Sequence, residues 1–88
     1  MQPRQIDDGH GPATMAWART TAGWAVNLDG SDAAAVFSLP RLEVLPSAGG
    51  WRSLCLLQDG TRHERRGRPT DTVYAARSAA EAVWKTLA

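Results

Sequence analysis

The side chains best placed to do chemistry in this chain are the arginines of Arg62-His63-Glu64-Arg65-Arg66-Gly67-Arg68, where four guanidinium groups stand against one carboxylate for a local charge of +3. A guanidinium fork matches the oxygens of a phosphate or a carboxylate, so Arg62, His63, Arg65, Arg66 and Arg68 are the expected partner-binding residues. On an extended strand Arg62, Glu64 and Arg66 would share one face and His63 and Arg65 the other, with Arg68 at the exit. The bland alternative is a solvated edge whose charges keep the strand from pairing with other molecules.

Other reactive residue types do not cluster. A metal site needs several ligands converging on one point, and the chain offers only His10 near its start, His63 among the arginines and a single Cys55. Asp7-Asp8 beside His10 reads as part of a solvated tail. Acyl or phosphoryl transfer needs a nucleophile with its base, or a glycine-rich loop carrying Lys, and neither exists in the sequence. Gly9-His10-Gly11 and Gly49-Gly50 are turn glycines, and Asp29, Asp59 and Asp71 fall where turns or caps want them. No catalytic, cofactor-binding or metal-ligating residue is therefore expected, and the chain is not expected to be an enzyme. Cys55, inside Leu54-Cys55-Leu56-Leu57, reads as a small buried hydrophobe.

The elements that must carry the arginines follow from length and pattern. With 88 residues, 43% of them apolar, the chain has room for one domain. Such a domain buries about 60% of its unfolded surface, for a net stability of about 5 kcal/mol. No apolar run approaches the ~20 residues that span a bilayer, and Met1 to Asp8 lacks a hydrophobic stretch, so a cytoplasmic location away from membranes is expected. Residues 1–12 hold two Pro and two Gly with almost nothing to bury, and read as a flexible tail ahead of a single α+β domain over 13–88.

Period-two alternation then marks strands. Met15 to Thr20 and Trp24 to Leu28 form a hairpin through Thr21-Ala22-Gly23, which would let Trp17 meet Trp24. Ala33 to Leu39 is read as a third strand and Leu42 to Leu45 as a fourth, near an edge because Pro40 and Pro46 bound it. Trp51 to Gln58 is apolar on both faces, which suits a strand paired on both sides. Gln58-Asp59-Gly60-Thr61 reads as a type I′ turn into the exposed strand Arg62 to Arg66. Gly23-Trp24 and Gly50-Trp51 each open a strand that ends at an Asp-Gly.

The final segment, about residues 70–87, is a helix with Thr70 as N-cap and Asp71 in its first turn. Val73, Ala76, Ala80, Val83 and Leu87 make its apolar stripe, with Val83, Trp84 and Leu87 filling the wider gap beneath it. Arg77, Glu81 and Lys85 lie on the solvent face, Glu81 and Lys85 as an i, i+4 pair. The expected fold is α+β: a mostly antiparallel sheet of four to six short strands with the helix packed on one face. Leu54 and Leu56, or Cys55 and Leu57, then need a second cover, either residues 33–39 folded over them or a second subunit in a homodimer.

Over about 40 residues the C-terminal half is loosely similar to the strand-strand-strand-helix unit of HicB-type antitoxins. The likeness rests on Gly50-Trp51 and the spacing to Thr70 and Ala75-Ala76. It departs from that family in lacking a Pro-Gly-Cys-like loop before the helix, and it implies architecture only.

These readings lead to a small non-enzymatic protein-binding module, an accessory protein that modulates a larger partner through Arg62 to Arg68. Nine Arg against one Lys, with abundant Ala and Gly, suggests GC-rich coding and a bacterial or mobile-element source. The first alternative is a nucleic-acid binder of low sequence specificity using the same arginines, against which the net charge of only +1 counts. The second is an antitoxin-like regulator.

Overall fold

The computed structural model describes residues 14–87; the expected tail over 1–12, with Asp7, Asp8 and His10, lies outside them. Its elements are β1 (Ala18–Arg19), β2 (Trp24–Asn27), β3 (Arg41–Ser47), β4 (Gly50–Leu56), β5 (Arg62–Glu64) and α1 (Val73–Leu87). The strands lie in chain order, β1-β2-β3-β4-β5, and every neighbouring pair is antiparallel. The α+β architecture expected from the sequence is therefore present, with one five-stranded sheet and one C-terminal helix.

The register sorts side chains by face. Trp24 pairs with Val44 and Val44 with Ser53, while Val26 pairs with Leu42 and Leu42 with Cys55. This is the face that α1 covers: Val26, Leu42, Val44 and Cys55 form the core with Ala76 and Ala80. Trp17, Trp24, Trp51 and Trp84 are half-buried around it, so all four indoles pack against the core. Alanine in the helix stripe allows the close approach. Ser53 Oγ donates to the Ala76 carbonyl at 2.8 Å and Cys55 Sγ to that of Ala80 at 3.5 Å. Burial pushes the Cys55 thiol up to about 11.

Several expectations are corrected. Leu42 to Leu45 belongs to the middle strand of the sheet rather than an edge. Pro46 is tolerated there because its partner Trp51 turns both its N–H and its C=O toward Thr70, leaving no bond for a proline N–H to complete on that side. The Met15–Thr20 strand shrinks to Ala18–Arg19. Upstream of it, Trp17 N–H folds back onto the Met15 carbonyl at 3.0 Å, and Thr14 and Met15 donate their amides to α1 instead of to β2. The Asp59-Gly60 turn is a three-residue loop, since Leu57 N–H bonds to Thr61 O and Gly60 N–H to Leu57 O. Only Gly60 has positive φ there, which is a type I turn with a glycine bulge rather than type I′.

Residues 33–39 are not a strand. They belong to a loop closed at its neck by Leu28 N–H donating to Pro40 O at 2.9 Å. Asp32 caps a single helical turn through its carboxylate and its carbonyl. Ser31 and Ser38 donate to the Asp29 carboxylate and hold it down at about 2. The hub is Arg41, 6% exposed, which reaches Asn27 Oδ1 and the Ala33 and Val36 carbonyls through Nη1 and Glu43 through Nε. A charge is tolerated in this place because the Glu43 carboxylate pairs with Nε while three neutral acceptors meet Nη1. The loop thus caps the Asn27–Arg41 end of the sheet face away from α1. Leu54, on that same face, is 1% exposed in the single chain, so its burial does not require a second subunit.

The helix begins at Val73, not Thr70. Thr72 is the N-cap, its Oγ1 accepting from Ala75 N–H at 3.0 Å, and Asp71 precedes the first turn. Thr70 adds a bridge to the sheet, exchanging two backbone bonds with Trp51. Leu87, expected in the stripe, is 41% exposed at the helix end. Glu81 and Arg77, expected in solvent, are not there. Glu81 is buried and accepts four hydrogen bonds from Thr14, Met15 and Trp17, and Arg77 lies 4.8 Å from the Trp24 ring centroid. No Glu81–Lys85 ion pair forms among the described residues.

Candidate functional site

The arginine run starts on the outermost strand beyond β4 and then leaves it. Pairing runs from Leu56↔Arg62 to Leu54↔Glu64 and is extended by Arg65 N–H to Ser53 O at 2.9 Å. It resumes only at Trp51↔Thr70. Between these two anchor points β4 contributes Arg52 alone, whereas the outer chain contributes Arg66, Gly67, Arg68 and Pro69. The surplus has to bulge outward. Gly67 takes φ 98°, a left-handed conformation that a side chain would resist, and Pro69 brings no N–H to the ladder. Arg65 closes the bulge with its own side chain, Nη1 donating to the Arg68 carbonyl at 3.0 Å.

The bulge encloses an open cleft of about 260 Å³ whose walls include Trp51, Arg52, Glu64, Arg65, Arg68 and Pro69. Its electrostatics turn on one ion pair. Arg52 holds Glu64 bidentately, Nε and Nη2 each 2.7 Å from a carboxylate oxygen. The Arg52 hydrogen bonds keep the Glu64 carboxyl below the usual glutamate range, and the pairing raises the Arg52 guanidinium in turn. The only acid of the run is thereby occupied. Arg62, Arg65, Arg66 and Arg68 have no carboxylate partner among the described residues. Ser53 also touches the cleft, but its hydroxyl is committed to Ala76.

The structure places the five sequence-derived residues in three settings. Arg65 and Arg68 converge on the cleft. Arg62 and Arg66 are exposed outside its lining. His63 pairs with Cys55 and so shares the helix-side face, half-buried and apart from the exposed arginines. Sequence reasoning missed Arg52 and Trp51 as neighbours of the cluster. The signal that could have found Arg52 is the hairpin register: with Leu57 opposite Thr61, Arg52 falls diagonally across from Glu64.

Among the described residues no group of three or more His, Cys, Asp or Glu could hold a metal ion, and no helix is long and apolar enough to cross a membrane. Comparison of the chain with protein-family models, with curated proteins and with solved structures finds no match. The likeness to HicB-type antitoxins rests on the local sequence features alone.

Proposed function

We propose that this chain is a non-enzymatic protein-binding module that docks an extended acidic segment of a partner along β5 and the arginine bulge. The observation that carries the reading is the Arg52–Glu64 pair, which silences the one negative charge of the run and leaves Arg62, Arg65, Arg66 and Arg68 to face a partner. The backbone supports it. Because His63 is paired with Cys55 as Arg65 is bonded to Ser53, the N–H and C=O of Arg62 and Glu64 point away from β4, a short free edge where an incoming strand can add. Arginine forks beside that edge favour carboxylate side chains on the added strand.

The test is fluorescence anisotropy with an extended Glu-rich peptide and its Gln counterpart. The acidic peptide should bind and the neutral one should not, and joint replacement of Arg62, Arg65, Arg66 and Arg68 by Glu should abolish binding while the thermal transition is retained. Turnover of a substrate by the purified protein would refute the non-enzymatic part. Oligonucleotide binding with a log–log salt slope of about −3, as roughly four phosphate contacts require, would replace this reading by a nucleic-acid one.

A further inference from the structure

We infer that the cleft inside the arginine bulge is a phosphoryl-group site, and that the segment docking on β5 presents a phosphorylated side chain to it; the identity of the carrier rests on the protein-binding reading above. Three observations converge. Arg65 and Arg68 line the cleft without a carboxylate partner, and Arg68 donates no side-chain hydrogen bond at all among the described residues. Gly67 and Arg68 also line it, and their backbone amides have no acceptor among the described residues. The nearest acid, Glu64, is held by Arg52 and does not compete for these donors.

The donor set fits a phosphate monoester better than a carboxylate. Two guanidinium groups match a group carrying about −1.5 to −2 charge at neutral pH, whereas a carboxylate supplies one charge and two oxygens in a plane. The three terminal oxygens of a phosphate monoester can accept from both arginines and from backbone amides together. At about 260 Å³ the cleft also has space for the side chain that carries the phosphate, with Trp51 and Pro69 as its apolar wall.

The experiment uses the whole chain and four probes: an acidic peptide with a central phosphoserine, the same peptide with Glu at that position, inorganic phosphate, and a single-stranded oligonucleotide. The phosphopeptide should bind about tenfold more tightly than the Glu peptide, the worth of one added charge-assisted hydrogen bond. Inorganic phosphate should shift the ¹⁵N–¹H signals of Gly67 and Arg68 before others. Arg68→Gln, which removes no side-chain hydrogen bond or ion pair within the described structure, should weaken the phosphopeptide about tenfold more than the Glu peptide and so erase the preference. Equal affinity for the phosphorylated and Glu peptides overturns the phosphoryl site while leaving the protein-binding reading standing. Phosphate-induced shifts at Gly67 and Arg68 without binding of either peptide support the site and remove the carrier. Tighter binding of the oligonucleotide than of the phosphopeptide overturns the inference in favour of a phosphodiester ligand.

Discussion

Trp17 donates its indole N–H to Glu81 at 2.7 Å, joining a residue just before the first strand to the middle of the last helix. The same carboxylate accepts from the Thr14 amide at 2.8 Å, the Thr14 hydroxyl at 3.1 Å and the Met15 amide at 3.0 Å. Burial alone would raise the Glu81 carboxyl, but these four donors more than offset it and hold it below the usual range. The segment Thr14–Trp17 is therefore clasped to α1 by one ionised side chain.

The clasp should be pH-dependent. A carboxyl depressed in the folded state contributes stability above its unfolded pKa of about 4.3 and loses that contribution as pH falls through the lower folded value. Melting curves at stepped pH should fall more steeply below about pH 4 for the native chain than for Glu81→Gln. At neutral pH that variant should be about 2 kcal/mol less stable, because the amide turns a donor toward groups that are themselves donors. Equal stability of the two proteins at pH 7 would mean that the four bonds contribute nothing net.

Two buried serines should respond oppositely to the same substitution. Ser53 is 3% exposed and its hydroxyl bonds to Ala76, whereas Ser78 is 1% exposed and its Oγ has no partner among the described residues. Ser53→Ala should cost about 1 kcal/mol and Ser78→Ala should stabilise by about 0.5 kcal/mol, since it removes an unsatisfied group and raises helix propensity. Urea titrations of both variants decide it.

Gly23 and Gly50 each precede a tryptophan for the same reason. A Cβ on Gly23 would overlap the Val44 carbonyl oxygen and one on Gly50 that of Thr70, both backbone atoms fixed in the sheet. Gly50 also has φ 152°. Gly50→Ala should destabilise by more than about 2 kcal/mol and open the Trp51–Thr70 bridge, read as faster amide exchange at Trp51 and Thr70.

Arg41→Lys keeps the charge and removes the planar fork that reaches Asn27, Ala33 and Val36. Amide exchange over residues 29–39 should accelerate at least tenfold, a loss of about 1.4 kcal/mol in loop closure, while α1 exchanges as before. Unchanged exchange in the loop would show that its neck bond suffices.

The sheet and helix were readable because each is written in a local period: Trp24, Val26 and Leu28 by twos, Val73, Ala76, Ala80 and Val83 by threes and fours. What escaped depends on partners far along the chain. Helical spacing offers Glu81 Arg77 and Lys85, four residues to either side, whereas its actual donors lie 64 to 67 residues away. Val36 and Phe37 look like strand residues, yet they are 48% and 65% exposed, because the loop is organised by polar groups around Arg41 rather than by apolar burial. The arginines of the candidate site were visible as a charge run. The cleft was not, since it exists only because Thr70 returns to Trp51 after Arg65 has left Ser53.

The order of elements has a consequence for biosynthesis. Each strand lies beside its neighbour in the chain and the covering helix comes after all of them. Once released from the ribosome the meander can zip up by short loop closures, but Val26, Leu42, Val44 and Cys55 stay wet until α1 folds down over them. A chain terminated before Val73 would keep that apolar face bare.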